Sequence, residues 1–305
     1  MNKLLKPMEK VKMMYLLKVF LLVSILYNCQ SDSGDLVVNN GNGDLTIVKV
    51  TSLPSEVDET SGLINFDGRI ITHNDSSGEP SLYELNTETG EVMRKVTISD
   101  IENIDMEDIA QDDDYIYLCD IGNNSNTRDN QAIYKISKAD YLIKDEVTAQ
   151  KISISYQEQT DFTRTNKETN FDAEAVVNID DALFLFTKNW GDNQTAVYRI
   201  PKEAGVYSLS KIDSFDIKGL ITGADYNAET QTVLLTGYLD FNTFVVSLTN
   251  FSKSNPLGGR IEKKSINVSG SIQIEGVAAN PDGSYYLSAE AVSGFSAILY
   301  KLTFQ

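Results

Sequence analysis

Residues 107–120 read Glu-Asp-Ile-Ala-Gln-Asp-Asp-Asp-Tyr-Ile-Tyr-Leu-Cys-Asp. A short acid-led run, a polar turn and a run of aromatic and β-branched residues predict two strands joined tightly. The pattern gains its weight by recurring. The leading element returns as Ser61-Gly-Leu63, Glu107-Asp-Ile109, Glu174-Ala-Val176, Thr222-Gly-Ala224 and Glu275-Gly-Val277, at successive spacings of 46, 67, 48 and 53 residues. The following run returns at 69–73, 115–119, 183–187, 232–236 and 285–288. A third contains Leu82-Tyr83, Ile133-Tyr134, Val197-Tyr198, Phe244-Val245 and Leu299-Tyr300, and a fourth follows in most copies, as in 94–98, 151–155 and 263–266.

Four strands per unit of roughly 40–50 residues is the arithmetic of a propeller blade. The last copy stops after three strands, while Leu45-Thr-Ile-Val-Lys-Val50 precedes the first copy without a partner. An N-terminal strand that completes the C-terminal blade would close the ring and remove exposed sheet edges. The expectation is an all-β, five-bladed β-propeller over 44–305. The long second interval is assigned to a loop around 157–169. A six-bladed ring is the alternative, and a two-domain sandwich is more distant.

The 305 residues carry 26 basic and 44 acidic side chains, a net charge of −18, which gives no basic footprint for nucleic acid. Two cysteines and one histidine argue against a Cys/His zinc site and against a disulfide scaffold. Cys119 and His73 lie in strand-like runs and read as structural. No Gly-Xaa-Ser-Xaa-Gly elbow, P-loop or dinucleotide fingerprint is present.

The N-terminus reads as an address. Lysines at 3, 6, 10, 12 and 18 precede an apolar run over 19–27, too short to span a bilayer. The run ends at Leu26-Tyr-Asn-Cys29, which resembles a bacterial lipoprotein signal. The expected division is a signal peptide over 1–28, lipidation at Cys29, and a flexible acidic and polar tether over 29–43. Acidic residues after the cysteine resemble the export signals of Bacteroidetes-type surface lipoproteins. The implied location is the cell envelope, with a lipid anchor to the outer membrane and a surface-exposed variant of it. An ordinary secretory signal with an incidental cysteine is the plainer alternative.

In a propeller the first strand of each blade lines the channel, so the repeated element delivers Ser61, Glu107, Glu174, Thr222 and Glu275 to one axis. Three converging glutamates need a counter-charge. Oxygen-only donors suit Ca²⁺ better than a transition metal. The same carboxylates would also serve simply to bind channel water and backbone amides.

At these residues the sequence resembles the calcium-activated nucleotidases, or apyrases, which are five-bladed propellers. Ser61-Gly-Leu63, Asn65-Phe-Asp-Gly68 and Asn74-Asp-Ser-Ser-Gly78 carry the likeness. The resemblance implies a central calcium held by Ser61, Glu107, Glu174, Thr222 and Glu275, with threonine replacing a serine at the fourth place. Where that family carries Asp-Asp-Arg-Thr-Gly, this chain has Asn74-Asp75-Ser76-Ser77-Gly78, without the arginine.

Second-strand ends should gather on one rim: Asn74, Asp75, Asp120, Lys188, Tyr238 and Glu290, with Trp190 and Arg128 close by. Asp75, Asp120 and Glu290 are the candidate acids and bases. Asn74, Arg128, Lys188, Trp190 and Tyr238 are the candidate ligand contacts. Asp and Asn are also ordinary turn formers. Two readings follow. One is a calcium-stabilised propeller that binds a small polar or anionic ligand, a glycan or a surface protein. The other is a calcium-dependent hydrolase of nucleotidase, phosphodiesterase, lactonase or esterase type.

Overall fold

The computed structural model describes residues 36–39 and 45–305, apart from 77, 241, 252–255, 257–258, 267, 269–272 and 293. The expected signal peptide and Cys29 lie outside the described residues.

Among the described residues, the strands form five four-stranded meanders. Their innermost strands are Thr60–Phe66, Met106–Gln111, Ala173–Ile179, Leu220–Asn227 and Ile274–Ala279. These five touch in cyclic order, the last returning to the first. Each pairs antiparallel with its successor in its own blade. Asp67 and Gly68, both at positive φ, make one of the tight turns between first and second strands.

The strand Leu45–Ser52 pairs antiparallel with Ile298–Phe304 and supplies the fourth strand of blade 5. Closure therefore joins the two ends of the domain, as the orphan run at 45–50 implies. Between blades 2 and 3, residues 157–172 carry no strand, consistent with the loop expected there.

Two connections were not legible. The outer strands of blades 1 and 2, Val92–Ser99 and Glu146–Tyr156, pair in parallel and merge the two blades into one sheet, which Gly205–Leu209 of blade 3 extends. Leu36–Asn39, read above as tether, instead forms a strand in parallel with Arg260–Ser265 at the outside of blade 4. A Leu-Val-Val run has high β propensity, and an outer strand offers unpaired backbone groups. One six-residue helix, Lys138–Ile143, follows the third strand of blade 2. Among the described residues no helix is long and apolar enough to cross a membrane.

The core is divided as the ring is. Five hydrophobic clusters lie between successive blades, the fifth joining Leu63 and Ile70 of blade 1 to Ala278 and Leu299 of blade 5. Each fully buried Leu, Ile or Phe contributes about 1.5–3 kcal/mol of transfer free energy, so every interface holds itself together.

Polar staples add registry across these interfaces. Asp108 of blade 2 accepts from the Val176 amide of blade 3 at 2.6 Å, and Asp225 of blade 4 from the Ala279 amide of blade 5 at 2.8 Å. Cys119 is fully buried in the cluster between blades 2 and 3, where burial pushes its thiol up.

Candidate metal centre

Every inner strand carries a register shift at the repeated element. The shifts fall between Thr60 and Leu63, Met106 and Asp108, Ala173 and Ala175, Ile221 and Gly223, and Ile274 and Gly276. The unpaired residues include Ser61, Glu107, Glu174, Thr222 and Glu275. A β-bulge re-aims the side chain it carries, so the repeat in sequence is a repeated bulge in structure. His73 serves the first bulge: its Nε2 accepts from the Gly62 amide at 3.1 Å, and its Nδ1 lies 3.1 Å from the Asn74 carbonyl oxygen. Burial pulls its pKa down to about 4, so it is a neutral structural histidine.

The five bulge residues do not share one set of contacts. The Ser61 hydroxyl donates to the Glu107 carbonyl of the next blade at 2.7 Å, and the Thr222 hydroxyl to the Ile274 carbonyl at 2.5 Å. Both staple blades together. Glu174 takes both its oxygens to the Lys188 ammonium at 2.5 Å. Glu275 shares a hydrogen bond with Glu290. Glu107 instead converges with Asp75 and Asp105, their ligand oxygens lying within 4.8 Å of one another.

This last group is the candidate centre. Asp75 ends the stretch after the second strand of blade 1, while Asp105 and Glu107 lead into and lie on the inner strand of blade 2. The Asp75 amide donates to Glu59 O, and the Met106 amide to Asp75 O, which fixes the backbone on both sides. Asp75 Oδ1 is buried with no partner, as is the neighbouring Asn74 Oδ1. Gly122 closes the group: a Cβ there would sit 2.3 Å from Glu107 Oε1 and 2.4 Å from Asp105 Oδ2. Three carboxylates, an orphaned oxygen and a wall only glycine can form fit a hard cation.

The electrostatics agree. Burial first, then the charges of Asp105, Glu290 and Glu59, push Asp75 up to about 7. Burial and Asp172 push Asp105 to about 6. Glu107 and Glu275 are driven well above the carboxylate range, chiefly by burial, and Glu174 reaches about 8 despite Lys188. Carboxylates packed together without enough positive charge must take up protons or a cation.

Two cations already stand here, Lys188 buried and Arg128 partly buried, and both are engaged. Burial opposes the charge on Lys188, yet Glu174 and Glu275 hold it well above the ordinary lysine range. Its ammonium also lies 5.0 Å from the Trp190 ring centre and 5.4 Å from that of Tyr238. Arg128 pairs with Asp120 Oδ1 at 2.8 Å and donates to Gly122 O at 2.8 Å and Asn130 Oδ1 at 3.1 Å. Guanidinium and ammonium are thus each already engaged by an internal carboxylate.

The rim residues expected from second-strand ends thus meet at one mouth. Asp75, Lys188, Tyr238 and Glu290 interact with one another or with the bulge glutamates, Asp120 pairs with Arg128 and accepts from the Asp105 amide, and Trp190 donates through Nε1 to Asp172 Oδ2 at 2.7 Å. Asp105 and Asp172 were missed. Each sits two residues before a bulge glutamate, and Glu59 and Gln273 hold the same place before Ser61 and Glu275. That two-residue period was the available signal.

Solved structures share the architecture. Glutaminyl cyclase from Myxococcus xanthus superimposes with a TM-score of 0.54 at 10% identity, over 89% of this chain and 98% of that one. The PQQ-bound aldose sugar dehydrogenase of Streptomyces coelicolor gives 0.50 at 11% identity, over 86% and 98%. The apo soluble aldose sugar dehydrogenase of Escherichia coli gives 0.50 at 10%, over 86% and 100%. The likeness is one of fold. No protein-family model matches the chain, and no curated protein matches it in sequence.

Proposed function

We propose that this protein is a cell-envelope β-propeller whose acidic mouth holds one divalent cation, Ca²⁺, and through it a small polar or anionic ligand. The observation that carries the reading is the convergence of Asp75, Asp105 and Glu107 around an unpartnered Asp75 oxygen, behind Gly122. When bound, the cation supplies the one positive pole not already spent on a neighbour. Lys188 and Arg128 are engaged by Glu174 and Asp120, so at this mouth an anionic ligand meets no uncommitted buried positive charge among the described residues. Ligand binding at this mouth should therefore require the cation. Thermal unfolding with EDTA and then with excess Ca²⁺ tests this. A calcium-dependent rise in Tm supports it, and an unchanged Tm together with ligand binding in EDTA overturns it.

Calcium-dependent hydrolysis is the second reading. It is favoured by the buried, unpartnered Asp120 Oδ2 beside Asp105 and by the resemblance to the apyrases. In it Asp120 positions or deprotonates a water, with Asp75 and Glu290 on the same rim. The missing arginine of the Asn74–Gly78 stretch weighs against it, since a phosphoanhydride needs positive charge. Incubation with ADP, a phosphodiester and a lactone in Ca²⁺ decides the matter: turnover lost in Asp120→Asn establishes hydrolysis, and none in any assay leaves binding.

The anchor rests on Cys29. Partition of the full-length protein into detergent, lost in Cys29→Ala, is the expected result; partition unchanged in the variant would remove the lipid anchor.

A further inference from the structure

The channel has a second mouth, at the other end of the inner strands. Bulge and strand end are about four residues apart, roughly 13 Å at strand rise. A cavity of about 660 Å³ opens there, within the size range of small-molecule sites.

Its lining repeats as the bulges do. Asn65, Gln111, Asn178, Asn227 and Asn280 place one amide from each blade around it. Four are stitched together. Gln111 donates to Asn65 O at 2.7 Å, Asn65 to Asn280 Oδ1 at 2.7 Å, and Asn227 to Asn280 O at 3.1 Å. That relay joins blades 2, 1, 5 and 4. The fifth amide, Asn178 of blade 3, stands outside it, with its Oδ1 buried and without a hydrogen-bond partner. A buried acceptor left unpaired costs free energy unless something donates to it.

A donor is unfilled as well. Lys138 lines the same cavity and is 8% exposed. Its ammonium lies 4.2 Å from the Phe66 ring centre, and among the described residues it makes no hydrogen bond or ion pair. Six carboxylates line the cavity against this one ammonium, which disfavours an anion. They do not converge in the way that Asp75, Asp105 and Glu107 do, so a metal has no ready cage here.

An open acceptor and an open donor in a wide, acidic, amide-rimmed cavity call for a group that can donate and accept at once while carrying no charge. A hydroxyl does both. We propose that this second mouth is a binding site for a neutral polyhydroxylated ligand, the end of an oligosaccharide, with Asn178 accepting from one hydroxyl and Lys138 donating to another. Tyr226, on the cavity wall, offers an apolar face for a sugar ring.

The site is independent of the acidic mouth, and the test keeps the two apart. Saturation-transfer NMR in EDTA with maltotriose, cellotriose and triacetylchitotriose, and with trigalacturonate as the anionic comparison, reads binding directly. Transfer to at least one neutral sugar is expected, and weaker or no transfer to trigalacturonate. Asn178→Ala and Lys138→Met should each weaken that sugar's binding about tenfold, the worth of one lost hydrogen bond, with Tm and Ca²⁺ binding unchanged. No transfer from any neutral sugar overturns the proposal. So does trigalacturonate binding as tightly, or binding that neither variant weakens. If calcium binding fails at the other mouth while sugar binding persists, only the metal reading falls.

Discussion

The two mouths of this channel are built from the same five strands and solve opposite problems. At one end, bulges bring carboxylates inward faster than positive charge is supplied, and Lys188 and Arg128 are engaged in partial neutralisation. At the other, each blade contributes an amide, and four of the five satisfy one another through the Gln111–Asn65–Asn280–Asn227 relay. Charge without enough counter-charge asks for a cation. Amides that nearly close on themselves ask only for a hydroxyl.

Removing one buried lysine from each mouth, Lys188 or Lys138, should separate the two most sharply. Lys188→Met leaves Glu174 and Glu275 without their counter-ion and should cost about 3–5 kcal/mol, the usual penalty for an uncompensated buried charge, read by urea unfolding in EDTA. Lys138→Met keeps the aliphatic stem over Phe66 and breaks no close ion pair, losing only the longer-range attraction of Asp112, Asp67, Asp113 and Asp114, so its cost should stay under about 1 kcal/mol. Equal losses in the two variants would erase the contrast.

Gly122→Ala acts on the acidic mouth alone. Its methyl would stand against Glu107 Oε1 and Asp105 Oδ2, so calcium affinity should fall at least about tenfold, with overpacking costing roughly 1–3 kcal/mol. Undiminished affinity would place the cation elsewhere.

Acidity supplies a third lever. In EDTA, native Glu174 and Asp75 take up protons between pH 8 and 6.5, whereas in the unfolded chain carboxyls titrate near 4. Their raised native values mean that stability climbs as pH falls through this window, by roughly 1–3 kcal/mol. Saturating Ca²⁺ should remove the part owed to Asp75, leaving the parts owed to Glu174, which stays on Lys188, and to Asp225 at the amide mouth, which burial lifts to about 7. His73 acts in the opposite sense, but chiefly below pH 6.5. A slope untouched by calcium would contradict the account.

The smallest effect distinguishes an axial ion from the off-axis group. Ser61→Ala removes the bond to Glu107 O and should cost about 1 kcal/mol, measured by unfolding, with less than a threefold change in calcium affinity. A large loss of affinity would return the ion to the axis and to the Ser61, Glu107, Glu174, Thr222, Glu275 set.

Much of this is legible in the sequence. The recurring element led by Ser61, Glu107, Glu174, Thr222 and Glu275 marks all five bulges, and the unpaired run at 45–50 marks the closing strand. Second-strand ends assembled into the rim because a meander returns each to the same face. What escaped notice depended on contacts between blades. Nothing in the local pattern says that Lys188 spends its charge on Glu174, or that Asp75 and Asp105, rather than Ser61 and Thr222, gather at the Glu107 carboxylate. The amide ring was overlooked because Asn65, Gln111, Asn178, Asn227 and Asn280 stand beside turns, where such residues are expected anyway.

The most direct measurement is calorimetric titration of Ca²⁺ into EDTA-stripped protein, residues 30–305, beside Asp75→Asn and Glu107→Gln. One site in the parent, lost in both variants while their folds persist, is the result this account requires. Absence of any binding heat, or a site that survives both substitutions, would contradict it.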